Sequence, residues 1–332
     1  MPPIDKKETI ELSAETDTNK DEKKNKNSKK KKGEEDTPNI SEVDLELKER
    51  LETCVNTLLN TQNESTITTD LRLSALDKIV LELRTATSSM TSVPKPLKFL
   101  RPFFIPLKDL HKDLLQKSDM EWVLLRARLA DVLAVLSMTL GKHEDRESLT
   151  FKLSGRKDYI SLEQQSNEEL RSKIPSDDNL GSWGHEFVRS LTGEIGQEYN
   201  ARVLAGADPD QDGPFADLLE MVDVIVPFHV NHNAEAEAVD LLMDVQRLKK
   251  LLDLESIDER NYRRICNYLV KTSDFQSDPD DLKVRRKVCA KEICFVFSSQ
   301  NILRFSLYYL ALRINQNTCK IIFILIKFTG NA

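Results

Sequence analysis

The stretch MEWVLLRARLADVLAVLSMTLG, residues 120–141, decides the fold class. Leu125, Leu129, Val132, Leu133, Leu136 and Leu140 recur at helical spacing and form one continuous stripe, so the period predicts an α-helix. Ser118 and Asp119 mark its start and Gly141 its stop. A stripe this broad implies burial on more than one side, which a helix obtains only inside an array of other helices.

The same grammar runs outward in both directions. Upstream, LRLSALDKIVLELRTA (71–86) sets Leu76, Ile79, Val80 and Leu83 on one face, with Asp70 as the expected N-cap. Between the two helices lies SVPKPLKFLRPFFIPL (92–107). Pro94, Pro96, Pro102 and Pro106 each remove a backbone donor, which predicts a connector or a broken helix. Phe99, Phe103 and Phe104 are expected to anchor it to the core; with Lys95, Lys98 and Arg101 interleaved, base stacking is the competing reading. Downstream, residues 142–180 turn polar and irregular around Pro175 and read as a loop, an insertion with at most a short helix. Helices then return at about 183–203, 215–226, 234–252 and 258–270; in the last, Tyr262, Ile265, Cys266 and Leu269 share a face. Helix, short break, helix, without convincing strand alternation, predicts an all-α fold of stacked helical hairpins, an armadillo- or HEAT-like α-α superhelix over residues 39–286.

Composition bounds the function. The chain has 332 residues, 39% of them hydrophobic and 31% charged, with only ten glycines, which favours helices with solvated outer faces over turn-rich sheets or phosphate loops. A net charge of −7 gives no global attraction to nucleic acid or to an anionic membrane. Cys54, Cys266, Cys289, Cys294 and Cys319 form no C-x-x-C pair and read as free thiols of a reducing compartment. The amino-terminal residues lack the apolar stretch of a secretory signal.

The two ends differ from the middle. Residues 1–38 form a lysine- and glutamate-rich arm, expected to be disordered because it holds too few apolar groups to offset chain entropy. Within it Lys29, Lys30, Lys31 and Lys32 look like a nuclear-localisation signal, but acids flank the lysines on both sides, so a solvated, charge-balanced tail is the expected reading. Residues 287–332 are apolar and β-branched. The span 293–314 could cross a bilayer, but Arg304 would then sit near its middle, so a poorly packed tail is expected in place of an anchor.

Three short patterns invite a chemical reading. SWGHEFVRS (182–190) begins like the zinc-hydrolase pattern H-E-x-x-H, yet Arg189 stands where the second imidazole belongs, and a guanidinium has no lone pair for a metal. DPDQDG (208–213) copies half a calcium loop, but Glu220 comes one residue late and Pro209 and Pro214 stiffen the backbone, so a turn between helices is expected. HVNHNAEAEA (229–238) offers His229, His232, Glu235 and Glu237, read as polar capping of a helix beginning near Asn233. With no G-x-S-x-G, P-loop or Rossmann fingerprint either, no catalytic residue, cofactor or metal is assigned and no enzyme is expected.

SSMTSVPKPLKFLRP (88–102), SWGHEFVRSLTGEIGQEY (182–199) and HNAEAEAVDLLMDVQRL (232–248), in this order, closely resemble the amino-terminal portion of the proteasome non-ATPase regulatory subunit 2 family, the large scaffold subunits of the regulatory-particle base. IDERNYRRICNYL (257–269) and SDPDDL (277–282) fit the same family, and the resemblance covers residues 41–286. Trp183, Gly184, His185, Glu186, His232, Asn233 and Glu235 are its diagnostic residues, with a structural role. The resemblance implies a noncatalytic, enzyme-regulating scaffold in cytoplasm and nucleus that contacts the base ATPases and other regulatory-particle subunits and supports ubiquitin-dependent degradation. It places the docking of ubiquitin-like shuttle proteins in a later toroid of helical repeats, which this chain, as a truncated isoform, is expected not to reach. Nucleic acid and membrane are not among the implied partners. A free-standing helical adaptor with a nuclear or RNA-linked role, using the lysine arm, stays open at this point.

Overall fold

The computed structural model describes residues 41–60, 68–87, 92–164, 168–174, 180–258, 260–272, 281–285 and 287–288. The 1–38 arm with Lys29 to Lys32, the tail from 289 onward, and Cys289, Cys294 and Cys319 lie outside the described residues. The helices run in the order α1 (Glu42–Leu59), α2 (Thr69–Thr87), α3 (Lys95–Leu100), α4 (Phe104–Leu114), α5 (Met120–Leu140), α6 (Glu147–Glu163), α7 (Glu168–Lys173), α8 (His185–Leu204), α9 (Ala216–Asn231), α10 (Glu235–Asp244) and α11 (Tyr262–Lys271). Residues 281–285 are helical too, and no strand occurs among the described residues. Neighbours in sequence pack as neighbours in space: α1 on α2, α4 on α5, α5 on α6, α8 on α9, α9 on α10, α10 on α11. This is the all-α helical-repeat fold that the periodicity predicts.

Helix α5 is the centre. Val123, Leu124, Leu125, Ala127, Leu129, Ala130 and the run from Asp131 to Ser137 are all buried, so it meets neighbours on every side, among them α2, α4, α6 and α8. At about 2 kcal/mol for each fully buried leucine, this helix is the largest single apolar investment of the fold. One core runs from Leu51 of α1 to Val288, and a smaller cluster of Val123, Leu124, Ala127, Tyr159 and Leu162 lies between α5 and α6.

The expected loop over 142–180 is corrected by α6 and α7. Helix α6 is long and packs closely on α5, but its buried positions are Ser148, Leu149, Lys152, Gly155, Asp158, Tyr159 and Leu162, mostly polar or small. A hydrophobic-period search passes over such a helix. Gly155 brings the backbones together: a Cβ there would lie 3.2 Å from both the Ala127 carbonyl oxygen and the Ala130 Cβ. Beside it, buried Asp131 accepts from Lys152 Nζ at 2.8 Å and from the Tyr159 hydroxyl at 2.9 Å. Arg126 grips Asp158 with two bonds of 2.7 and 2.5 Å and also donates to the Leu114 carbonyl at the end of α4. Asp131 and Asp158 each have an opposite charge at hydrogen-bonding distance, which is the condition for tolerating them in a core.

Smaller corrections concern helix ends. The N-cap of α2 is Thr68, whose hydroxyl accepts from Leu71 N at 3.3 Å; Asp70 sits in the first turn and pairs with Lys173 instead. Gly141 ends α5 with extended backbone (φ −73°, ψ 165°), not a left-handed turn, and glycine is required because a Cβ would come within 2.6 Å of the Ser137 carbonyl oxygen. The proline-rich stretch is a broken helix: α3 passes through the 3-10 turn Arg101–Phe103 into α4, with Pro102 in that turn and Pro106 in the first turn of α4, where its missing donor costs no bond. Phe104 is buried and Phe99 and Phe103 pack partly on the core, the expected anchoring. Helix α9 does not stop at Val226 but continues past Pro227 to Asn231. The carbonyl that Pro227 leaves free belongs to exposed Asp223, where water can satisfy it, while Val222, Ile225, Val226, His229 and Val230 hold the buried face. The run 234–252 is two pieces, because Gln246 adopts φ 54° and the carbonyls ending α10 are taken up by Gln246 N (3.1 Å) and Arg247 N (2.8 Å).

Asp131→Ala is expected to destabilise the full chain by about 3 kcal/mol or more in urea unfolding, since it removes the buried carboxylate that accepts from both Lys152 and Tyr159. Asp131→Leu combined with Lys152→Met is expected to recover most of that loss. Gly155→Leu, which forces α5 and α6 apart, is expected to cost about 2 kcal/mol or more; unfolding midpoints equal to the parent's would contradict the close crossing.

Candidate interaction surface

The residues singled out around His185 and His232 come together at one joint, where the start of α8 meets the turn between α9 and α10. Gly184 precedes α8 with φ 88° and ψ 162°, a region open in practice only to glycine. That bend buries Trp183 against Phe187 (ring centroids 6.4 Å apart), with Arg84 of α2 over the indole at 4.7 Å. It also starts α8 at His185, with Glu186 in the first turn where the helix dipole favours an acid.

The His185 ring lies 5.1 Å from Phe228 and 4.9 Å, edge-on, from His232, and Phe228 and His232 stack at 4.1 Å. Packing against these neighbours, then the nearness of His232 and Arg189, lowers the His185 pKa and favours its neutral form. Arg189, at the place of the missing second imidazole, pairs with Glu237 of α10 at 2.6 Å and more loosely with Glu186 at 3.8 Å. Burial works against the Glu237 carboxylate, but bonds from its own backbone N–H and from Arg189 hold its pKa below the usual value.

The capping expected of His229, His232 and Glu235 is corrected. His229 lies inside the last turn of α9, 1% exposed, with Nε2 3.0 Å from Thr192 Oγ1. The Thr192 hydroxyl gives its proton to the Val188 carbonyl at 2.8 Å, so His229 is the donor, through Nε2–H. Burial pulls its pKa down to about 4. His232 closes α9, its Nδ1 2.7 Å from the Phe228 carbonyl oxygen, and Asn233 makes the left-handed turn at φ 60°. Ala234 N–H then reaches back to the His229 carbonyl at 2.9 Å, and α10 starts without a side-chain cap. Buried Glu235 is a cross-link: Arg264 of α11 donates to it at 2.9 and 2.5 Å and to Asn233 Oδ1 at 2.9 Å. Phe228, Arg189, Thr192 and Arg264 were not singled out as partners from sequence, because only the fold shows which face of each helix they meet.

The DPDQDG segment forms the turn after α8. Gly206 at φ 100° stops that helix, and the Asp208 carboxylate accepts from Asp210 N and Gln211 Nε2. Asp212 binds Arg247 at 2.6 Å, and Asp217 takes both ends of the Arg202 guanidinium at 2.6 and 2.9 Å. Among the described residues, no three His, Cys, Asp or Glu side chains are grouped so as to hold a metal ion, and no helix is long and apolar enough to cross a membrane.

The model of the RPN1 N-terminal domain family matches residues 51–323, reaching past residue 286 into the apolar segment. The chain is 42% identical over 243 residues to 26S proteasome non-ATPase regulatory subunit 2 homolog A of Arabidopsis thaliana, covering 73% of this chain and 23% of that protein. It is 38% identical over 252 residues to 26S proteasome non-ATPase regulatory subunit 2 of Dictyostelium discoideum (76% and 24%). It is also 35% identical over 294 residues to 26S proteasome regulatory subunit RPN1 of Candida glabrata (84% and 26%). The matched length is thus about a quarter of each of these relatives.

Acid is expected to loosen the joint. His229, and His111 of α4, which lies edge-on to Phe151 at 5.3 Å, both have folded pKa values lowered by burial from 6.5 to about 4. The unfolded chain binds these protons first, so the stability they contribute is full above pH 6.5 and is lost as pH falls toward 4, about 3 kcal/mol for each at full protonation. Urea midpoints should therefore fall steadily across this window. A His229→Phe variant should show a shallower fall, and a midpoint that holds steady across the window in the parent would refute the assignment.

Proposed function

The chain belongs to the RPN1 N-terminal domain family, and from that premise we propose that it works as a noncatalytic scaffold segment of the proteasome regulatory particle. In this reading it contacts base ATPase subunits and other regulatory-particle subunits through exposed helix faces and so supports ubiquitin-dependent degradation in cytoplasm and nucleus. The family match over 51–323 carries the reading. The geometry supports it: His185 packs with Phe228 and His232, Arg189 ties α8 to Glu237, and Arg264 ties α11 to Glu235, so these polar groups serve to fix one helix against the next. Such a joint keeps outer ridges in register for partner subunits, as helical-repeat arrays do. Shuttle-protein docking is not assigned to any residue of this chain.

Affinity capture of the tagged full chain from cell extract is expected to recover regulatory-particle base subunits, and Gly155→Leu to reduce that recovery. Capture of a folded chain without any base subunit would overturn the reading.

A further inference from the structure

The outward face of α11 carries a row of cations. At helical spacing Arg263, Arg264, Asn267 and Lys271 fall within an arc of about 100°, opposite buried Tyr262, Ile265, Cys266 and Leu269. Arg263 and Lys271 are exposed, and among the described residues neither has an ion-pair partner. Arg264 is held by Glu235 and Asn233. Just ahead of the helix Arg260 is exposed beside Asp258, and beyond it Lys283 and Lys287 are exposed on the segment whose Arg285 donates to the Leu269 carbonyl at the end of α11. On a chain of net charge −7, this row carries no acid between Arg263 and Lys271.

We propose that this face docks an acidic helical segment of a partner protein. The row from Arg263 to Lys271 is about 12 Å long, enough to face about two turns of a partner helix with carboxylates at i, i+4 and i+7. Charge complementarity is what identifies the occupant. Single-stranded nucleic acid fits less well, because the ridge offers no aromatic platform: Tyr262 is buried, and Tyr268 is half-buried with its hydroxyl on Asp240 at 2.7 Å. The inference does not depend on which assembly the chain joins.

The test measures anisotropy of labelled probes against the purified full chain at low salt. The probes are a helical alanine-based peptide with glutamates four residues apart, its glutamine counterpart and oligouridine. The glutamate peptide is expected to bind, to weaken as salt rises, and to lose affinity about tenfold or more in Arg263→Glu/Lys271→Glu. Lys78→Glu/Lys98→Glu, the same charge change on α2 and α3, is expected to bind nearly as the parent does. Arg263→Gln/Lys271→Gln, a milder change should the reversal impair folding, is expected to lose affinity in the same direction by a smaller factor. Absence of glutamate-peptide binding, equal binding of the glutamine peptide, equal losses in the two reversal variants, or tighter binding of oligouridine through Arg263 and Lys271 would each overturn the proposal.

Discussion

The crossing of α5 and α6 is the constraint on which the remaining structure depends. Gly155 lets the α6 backbone approach Ala127 and Ala130, and at that separation Lys152 and Tyr159 reach the carboxylate of Asp131. The two features require each other. A wider crossing would pull the buried charges apart, and a pair without those charges would lose the bonds that fix rotation and register of α6. Because α5 also touches α2, α4 and α8, its orientation is passed to both halves of the array.

From this centre the array is extended by cross-links of one kind, a charged or aromatic side chain reaching from one helix to the end of another. Glu194 of α8 accepts from Leu149 N in the first turn of α6, Arg126 of α5 reaches the last carbonyls of α4, and Arg264 of α11 holds Glu235 at the start of α10. Helix ends carry unpaired backbone groups that must find partners, so a neighbour's side chain placed there satisfies a bond and sets a packing angle together. The His185, Phe228 and His232 stack does similar work with rings at the α8 and α9 ends. The polar residues that look chemical in the sequence are thus used in architecture, whereas Arg263 and Lys271 on α11 have no ion-pair partner among the described residues.

What could be read without coordinates follows from this division. The leucine stripes of α2 and α5 and the buried face of α11 were legible, because apolar burial leaves a period in the sequence. The family resemblance was legible on its motifs and is matched by the family model. Helix α6 was not, because Lys152, Asp158 and Ser148 occupy its buried face and mimic a solvated loop. Nor was the break at Gln246, where a glutamine takes a left-handed turn that glycine usually marks. At the candidate surface the residues were found but their roles were not: His229 and Glu235 read as caps until the fold set Thr192 and Arg264 against them.

Native-state hydrogen exchange over residues 120–163 tests the central claim most directly. If the α5 and α6 crossing organises the fold, the interior amides of both helices should exchange only through global unfolding and lose protection together when denaturant is raised. Rapid exchange of the α6 amides while α5 stays protected would contradict it, and would return residues 147–163 to the polar loop that their composition resembles.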